Sequence, residues 1–120
     1  MSARPKFKLR PPEPAESQVL RGVLQLLAYH PRVAWAHRMN SGLTWLPSGK
    51  AGKKQPVRFG FVGCPDVLGQ LRDGRALAVE VKKPSGIVTP EQAAFLECVR
   101  ANGGLALVAR SADDVAEALK

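Results

Sequence analysis

The stretch "PDVLGQLRDGRALAVEVKK", residues 65–83, constrains the fold of this chain more than any other. Two apolar runs flank Arg72-Asp73-Gly74, which has the composition of a three-residue turn with glycine in the third, left-handed position. The expected element is an antiparallel hairpin whose second strand spans Ala76 to Val81. Side chains two apart on a strand share a face. Leu77, Val79 and Val81 therefore share one face, and Ala78, Glu80 and Lys82 share the other. Taken alone, Glu80 and Lys82 read as a solvated ion pair where the strand leaves the core before Pro84. The three-residue turn sets Leu71 opposite Arg75, Val67 opposite Val79 and Asp66 opposite Glu80, with facing Cβ atoms roughly 5 Å apart. A two-residue turn at Asp73-Gly74 would set Asp66 opposite Val81 and separate the two acids. The Arg-Asp-Gly composition favours the first register.

Apposed carboxylates on neighbouring strands repel unless something lies between them. A divalent cation is one solution, and hard oxygen ligands suit Mg²⁺ or Mn²⁺. The alternatives are a proton held by one acid, or neutralisation of both by Lys82. Glu16 lies three, four and seven residues before Val19, Leu20 and Val23, so it continues a buried helical stripe. A solvated acid near a helix N-terminus is the other reading of Glu16. Gln92 bears the same relation to Phe95, Leu96 and Val99, although a capping box with Thr89 would by itself explain it.

The chain has 120 residues, the size of one domain. Residues 1–14 form a basic, proline-rich arm, expected to be extended and able to touch phosphate. Residues 15–120 form the domain. A helix from Ala15 to Tyr29 precedes a strand in which Val33, Trp35, His37 and Met39 alternate with Ala34, Ala36, Arg38 and Asn40. At such positions Trp35 and Trp45 are expected in the core, with base stacking as the alternative. Leu43 to Leu46 and Val57 to Val62 read as a hairpin with a long basic tip. Thr89 caps a helix that ends before Gly103, "LALVA" is a short buried strand, and Ser111 caps a final helix. The expected class is α/β, with a mixed β-sheet flanked by helices in the order α-β-β-β-β-α-β-α.

Lys and Arg number 18 against 10 Asp and Glu, a formal net charge of +8 that suits a polyanionic partner. Cys64 and Cys98 are the two cysteines, too few for a disulfide framework or a four-ligand zinc site. No apolar run is long enough to span a bilayer, and the N-terminus lacks the apolar core of a signal peptide. The expectation is a soluble, reduced, cytoplasmic protein.

Together, "E16…PD66…E80-V-K82…TPEQ92" resembles the PD-(D/E)xK nuclease signature. The pieces "ESQVLRGVLQLL", "RMNSG", "G-x-PD" and the "TPEQ" helix ending in "ANGG" narrow the resemblance to the VRR-NUC (virus-type replication-repair nuclease) domain, from about Ala15 to Leu119, in its stand-alone phage or bacterial form. The resemblance implies a restriction-endonuclease-like core and metal-dependent hydrolysis of DNA phosphodiesters. It implies that Glu16, Asp66, Glu80 and the Val81 backbone carbonyl bind Mg²⁺ or Mn²⁺. Lys82 would orient or deprotonate the attacking water or stabilise charge on the phosphate, and Gln92 would support Lys82 or the phosphate.

The resemblance also makes Arg38, Asn40 and Ser41 candidates for DNA contact, with ordinary strand-end polarity and an Asn-Ser-Gly turn as the alternative for all three. Lys50, Lys53 and Lys54 form the strongest local basic cluster, to which Arg58 and Lys83 add. Single-domain relatives resemble junction resolvases that act as homodimers, so the expected substrate is branched DNA of the Holliday-junction kind. A non-catalytic basic clamp for nucleic acid, and a single-strand or flap nuclease without junction preference, are the competing readings.

Overall fold

A computed structural model describes residues 12–40 and 42–120. Most of the basic arm, and Ser41, lie outside the described residues. The elements in chain order are α1 (Glu16–Tyr29), β1 (Val33–Arg38), β2 (Gly42–Pro47), β3 (Lys54–Phe59), β4 (Val67–Leu71), β5 (Ala76–Val81), α2 (Pro90–Ala101), β6 (Leu105–Ala109) and α3 (Ala112–Ala118). The main sheet has strand order β1-β4-β5-β6, and β2 and β3 form a separate two-stranded sheet among the described residues. The first three strands of the main sheet run antiparallel to their neighbours, and β5 pairs with β6 in parallel. This is the mixed sheet flanked by helices that the sequence predicts. Five strands, not four, separate α1 from α2.

The central hairpin has the three-residue turn. Val67 faces Val79 and Leu68 faces Ala78. The Leu71 amide donates to the Arg75 carbonyl at 2.8 Å, and the Gly74 amide to the Leu71 carbonyl at 2.9 Å. Gly74 has φ 95°, a conformation that glycine adopts without a Cβ clash.

The two faces of β5 meet different layers. Leu77, Val79 and Val81 join Val67 and Leu71 in the main core, against Val19, Val23 and Leu27 of α1 and Val115 of α3. Ala78 packs on the other face, with Leu96 of α2 and Ala106 of β6. That second core is small, and Glu80 continues its face. A sheet with a parallel pair needs cover on both faces, and here α2 supplies the second cover only in part.

The alternation expected in β1 breaks at a bulge between Val33 and Trp35. Val33 is buried, but an unpaired Ala34 reverses the pleat beyond it. Ala36 then packs against the core, while Trp35 turns outward at 47% exposure. The expectation of a core Trp35 is thus corrected: its ring sits 5.7 Å from that of His37, and its indole N–H donates to Gln70 Oε1. Trp45 is not in the core either, at 59% exposure on the two-stranded ribbon.

Candidate metal centre and active site

Three strand ends and two helix starts converge at one edge of the main sheet. Asp66 immediately precedes β4, so the hairpin register carries it opposite Glu80. Its Oδ2 accepts from the Val81 amide at 2.8 Å, which locks the carboxylate against β5. Its own carbonyl accepts from the Met39 amide at the end of β1, at 2.7 Å. Glu16 opens α1 and lies over the same edge. Ligand oxygens of Glu16, Asp66 and Glu80 lie within 4.8 Å of one another.

Glu80 is 2% exposed and the only buried charged residue among those described. Its Oε1 accepts from Gln92 Nε2 at 3.1 Å and lies 3.7 Å from Lys82 Nζ. Its Oε2 is buried with no hydrogen-bond partner among the described residues. Burial pushes the carboxyl up to about 8. The neighbouring Asp66 carboxylate acts in the same direction, as does the charge of Glu16, and Lys82 opposes them. A carboxyl group in such a place either pairs with a cation when ionised or keeps its proton. The donor set suits a hard divalent cation: oxygens only, drawn from three chain segments, one of them unpartnered.

Gln92 performs two tasks at once. Its Oε1 accepts from the Thr89 amide at 3.0 Å, completing the capping box with Thr89 Oγ1. Its Nε2 remains to reach Glu80. The orientation of the Gln92 side-chain amide is therefore fixed by the cap, and the cap aims its donor at Glu80.

Two clefts of about 410 Å³ each open beside the acids. Glu16 and Asp66 line both. Ser17, Arg21 and Arg38 complete the polar side of the first, and Val81 also lines it. The second adds Glu80, Lys82, Gln92 and Arg58, the last from the ribbon. The structure thus brings together Glu16, Asp66, Glu80, Lys82, Gln92, Val81, Arg38 and Arg58. Asn40 is exposed just past β1, and Lys83 is exposed in the loop behind Lys82. Lys50, Lys53 and Lys54 cluster instead at the far tip of the ribbon, around the turn from Pro47 to Lys54. Ser41 lies outside the described residues.

Two contributors are not evident from residue type. Gly63, with φ 83°, lets the chain before Asp66 pass against the first turn of α2. A Cβ there would lie 2.4 Å from the Glu91 carbonyl oxygen. Arg110 donates to the carbonyls of Lys83, Pro84 and Gly86, at 3.0, 3.1 and 2.7 Å, and so braces the loop that follows Lys82. Only the glycine in "G-x-PD" marked the first, and nothing marked the second.

A mixed sheet whose edge gathers acids and a lysine from a P-D and an E-x-K segment defines a nuclease core of the PD-(D/E)xK type. The VRR-NUC domain matches residues 16–113. The chain belongs to the VRR-NUC domain family, whose substrate is DNA. Neither the curated proteins nor the solved structures contain a match to it. No helix among the described residues is long and apolar enough to cross a membrane.

Proposed function

We propose that the protein is a Mg²⁺- or Mn²⁺-dependent endonuclease that cuts branched DNA, acting as a homodimer inside the cell. The observation that carries the reading is the gathering of carboxylate oxygens from Glu16, Asp66 and the buried Glu80 within 4.8 Å of one another. Glu16, Asp66 and Glu80 would hold the ion, with the Val81 carbonyl as a further ligand. A bound divalent ion would supply a more acidic water and neutralise charge on the phosphate. The chain's own residues supply the rest. Lys82, beside Glu80, holds a positive charge where the transition state gains negative charge, and it can orient the attacking water. Gln92 fixes the Glu80 carboxylate by donating to Oε1, which leaves Oε2 without a protein partner. Arg38 and Arg58 flank the acids, and with Asn40 and Lys83 they form the inner DNA contacts. Lys50, Lys53 and Lys54 hold the backbone further out.

A non-catalytic clamp is disfavoured by the same geometry, because carboxylates without a cation would repel phosphate. The test is cleavage of labelled four-way junction, flap, single-stranded and duplex DNA with Mg²⁺, Mn²⁺ or EDTA. Wild type should cut the junction in either metal and not in EDTA. Asp66→Ala and Lys82→Ala should each lose at least about a hundredfold in rate, the range for removing one electrostatic stabiliser. Binding without cutting in every metal would establish the clamp instead.

A further inference from the structure

The β2–β3 ribbon stands apart from the main sheet. Among the described residues, its two strands have no hydrogen-bonded strand neighbour but each other. A two-stranded ribbon is marginally stable alone, yet this one leaves a tryptophan 59% exposed. Trp45 faces Pro56, Leu43 faces Arg58, and Pro47 faces Lys54. Directly opposite residues and residues two apart share a face. Trp45 and Pro56 therefore lie midway between Arg58 and Lys54 on one side of the ribbon. Arg58 lines the cleft that holds Asp66, Glu80 and Lys82. A strip thus leads from the acidic cleft through Arg58 to the Trp45–Pro56 platform, then to Lys54 and the tip lysines.

The charge along this part of the chain has one sign. From Ser17 to Pro65 there is no Asp or Glu, while seven Lys and Arg occur. An aromatic plane flanked by cations and free of carboxylates matches a polyanion whose bases can stack. A second copy fits poorly, because a self-complementary contact would set the same cations against one another. Duplex DNA fits poorly at Trp45 as well, because its base faces are already covered by neighbouring bases.

We infer that the Trp45 face of the β2–β3 ribbon, between Arg58 and Lys54, is a stacking platform for an unpaired nucleotide next to the phosphate at the acidic cleft. This deepens the nuclease reading and rests on it: the enzyme reads locally unpaired DNA through an aromatic side chain outside the metal centre. Arg58 and Lys54 hold the backbone on either side of the stacked base.

The experiment measures binding in EDTA, where no cutting interferes. A fluorescent oligothymidylate and a duplex of equal length are titrated with wild type, Trp45→Phe, Trp45→Leu and Trp45→Ala. Trp45→Ala and Trp45→Leu should weaken single-strand binding about tenfold and change duplex binding by less than about twofold. Trp45→Phe, which keeps an aromatic face, should retain most of the single-strand affinity. In a Trp35→Phe protein, the remaining tryptophan fluorescence should be quenched by oligothymidylate. Equal losses on both DNAs, no loss on either, or equal weakening by Phe and Leu would overturn the inference. So would conversion of a wild-type dimer to monomer by Trp45→Leu in sedimentation velocity, which would show a second copy on the strip. Trp45-dependent single-strand binding in a protein that cuts no DNA would remove the nuclease reading and leave the platform standing.

Discussion

Glu80 sets an energetic problem that its neighbours solve only in part. Lys82 and Gln92 both serve Oε1, and Oε2 is left without a partner. Burial raises the carboxyl from 4.5 to about 8. Between these limits the folded protein keeps a proton that the unfolded chain releases. Stability from this group is therefore full at pH 4 and falls as pH rises through 8. Glu80→Gln cannot ionise, and it fits the same space. In EDTA, thermal or urea unfolding should show the variant close to wild type at pH 5. At pH 8 it should be more stable, by on the order of 3 kcal/mol. A constant difference across that range would mean that Glu80 is ionised throughout. The same variant should lose cleavage at every pH, because a neutral amide is a far weaker ligand for a divalent ion than a carboxylate.

At the scale of elements, two turns position the site, and glycine makes both. At Gly74 a Cβ would meet nothing within 4 Å, so Gly74→Ala carries only the left-handed backbone cost. At Gly63 the Cβ would also strike the Glu91 carbonyl, which belongs to the turn of α2 that presents Gln92. Gly74→Ala should destabilise by about 1 kcal/mol, and Gly63→Ala by about 3 kcal/mol. Only the latter should reduce cleavage beyond its effect on folding, as measured at a temperature where both variants are native. The register that joins Asp66 to Glu80 was legible in the sequence because Arg-Asp-Gly specifies one turn. The β1 bulge was not: Ala34 and Ala36 are chemically identical, so nothing local says which is the extra residue. The capping box was legible, but its second use was not. Hydrogen bonding from the free end of Gln92 depends on where β5 lies, and no helix signal carries that information.

Across the whole molecule, charge is segregated along the chain. Seven of the basic residues fall in the acid-free stretch from Ser17 to Pro65, whereas eight of the ten acids follow it. The excess of cations was plain from composition, and the pairing of strands decides where it points. Arg38 and Arg58 reach the clefts beside the acids, while Lys50, Lys53 and Lys54 occupy the ribbon tip. Inner cations share a surface with the three carboxylates and, on the proposed reading, act on one phosphate. Tip lysines are exposed and can act only through the backbone field of longer DNA. Replacing Lys50, Lys53 and Lys54 together with Gln should therefore leave unfolding stability within about 0.5 kcal/mol of wild type. Duplex binding in EDTA should weaken with every sequence tested. The slope of log affinity against log salt should become shallower by up to about 2.7, three phosphate contacts at about 0.9 each. Short substrates that end before the tip should be cut at the wild-type rate, and long ones more slowly at elevated salt. An unchanged slope would place the DNA path away from the ribbon tip, and the cations beside the acids would then carry the binding alone.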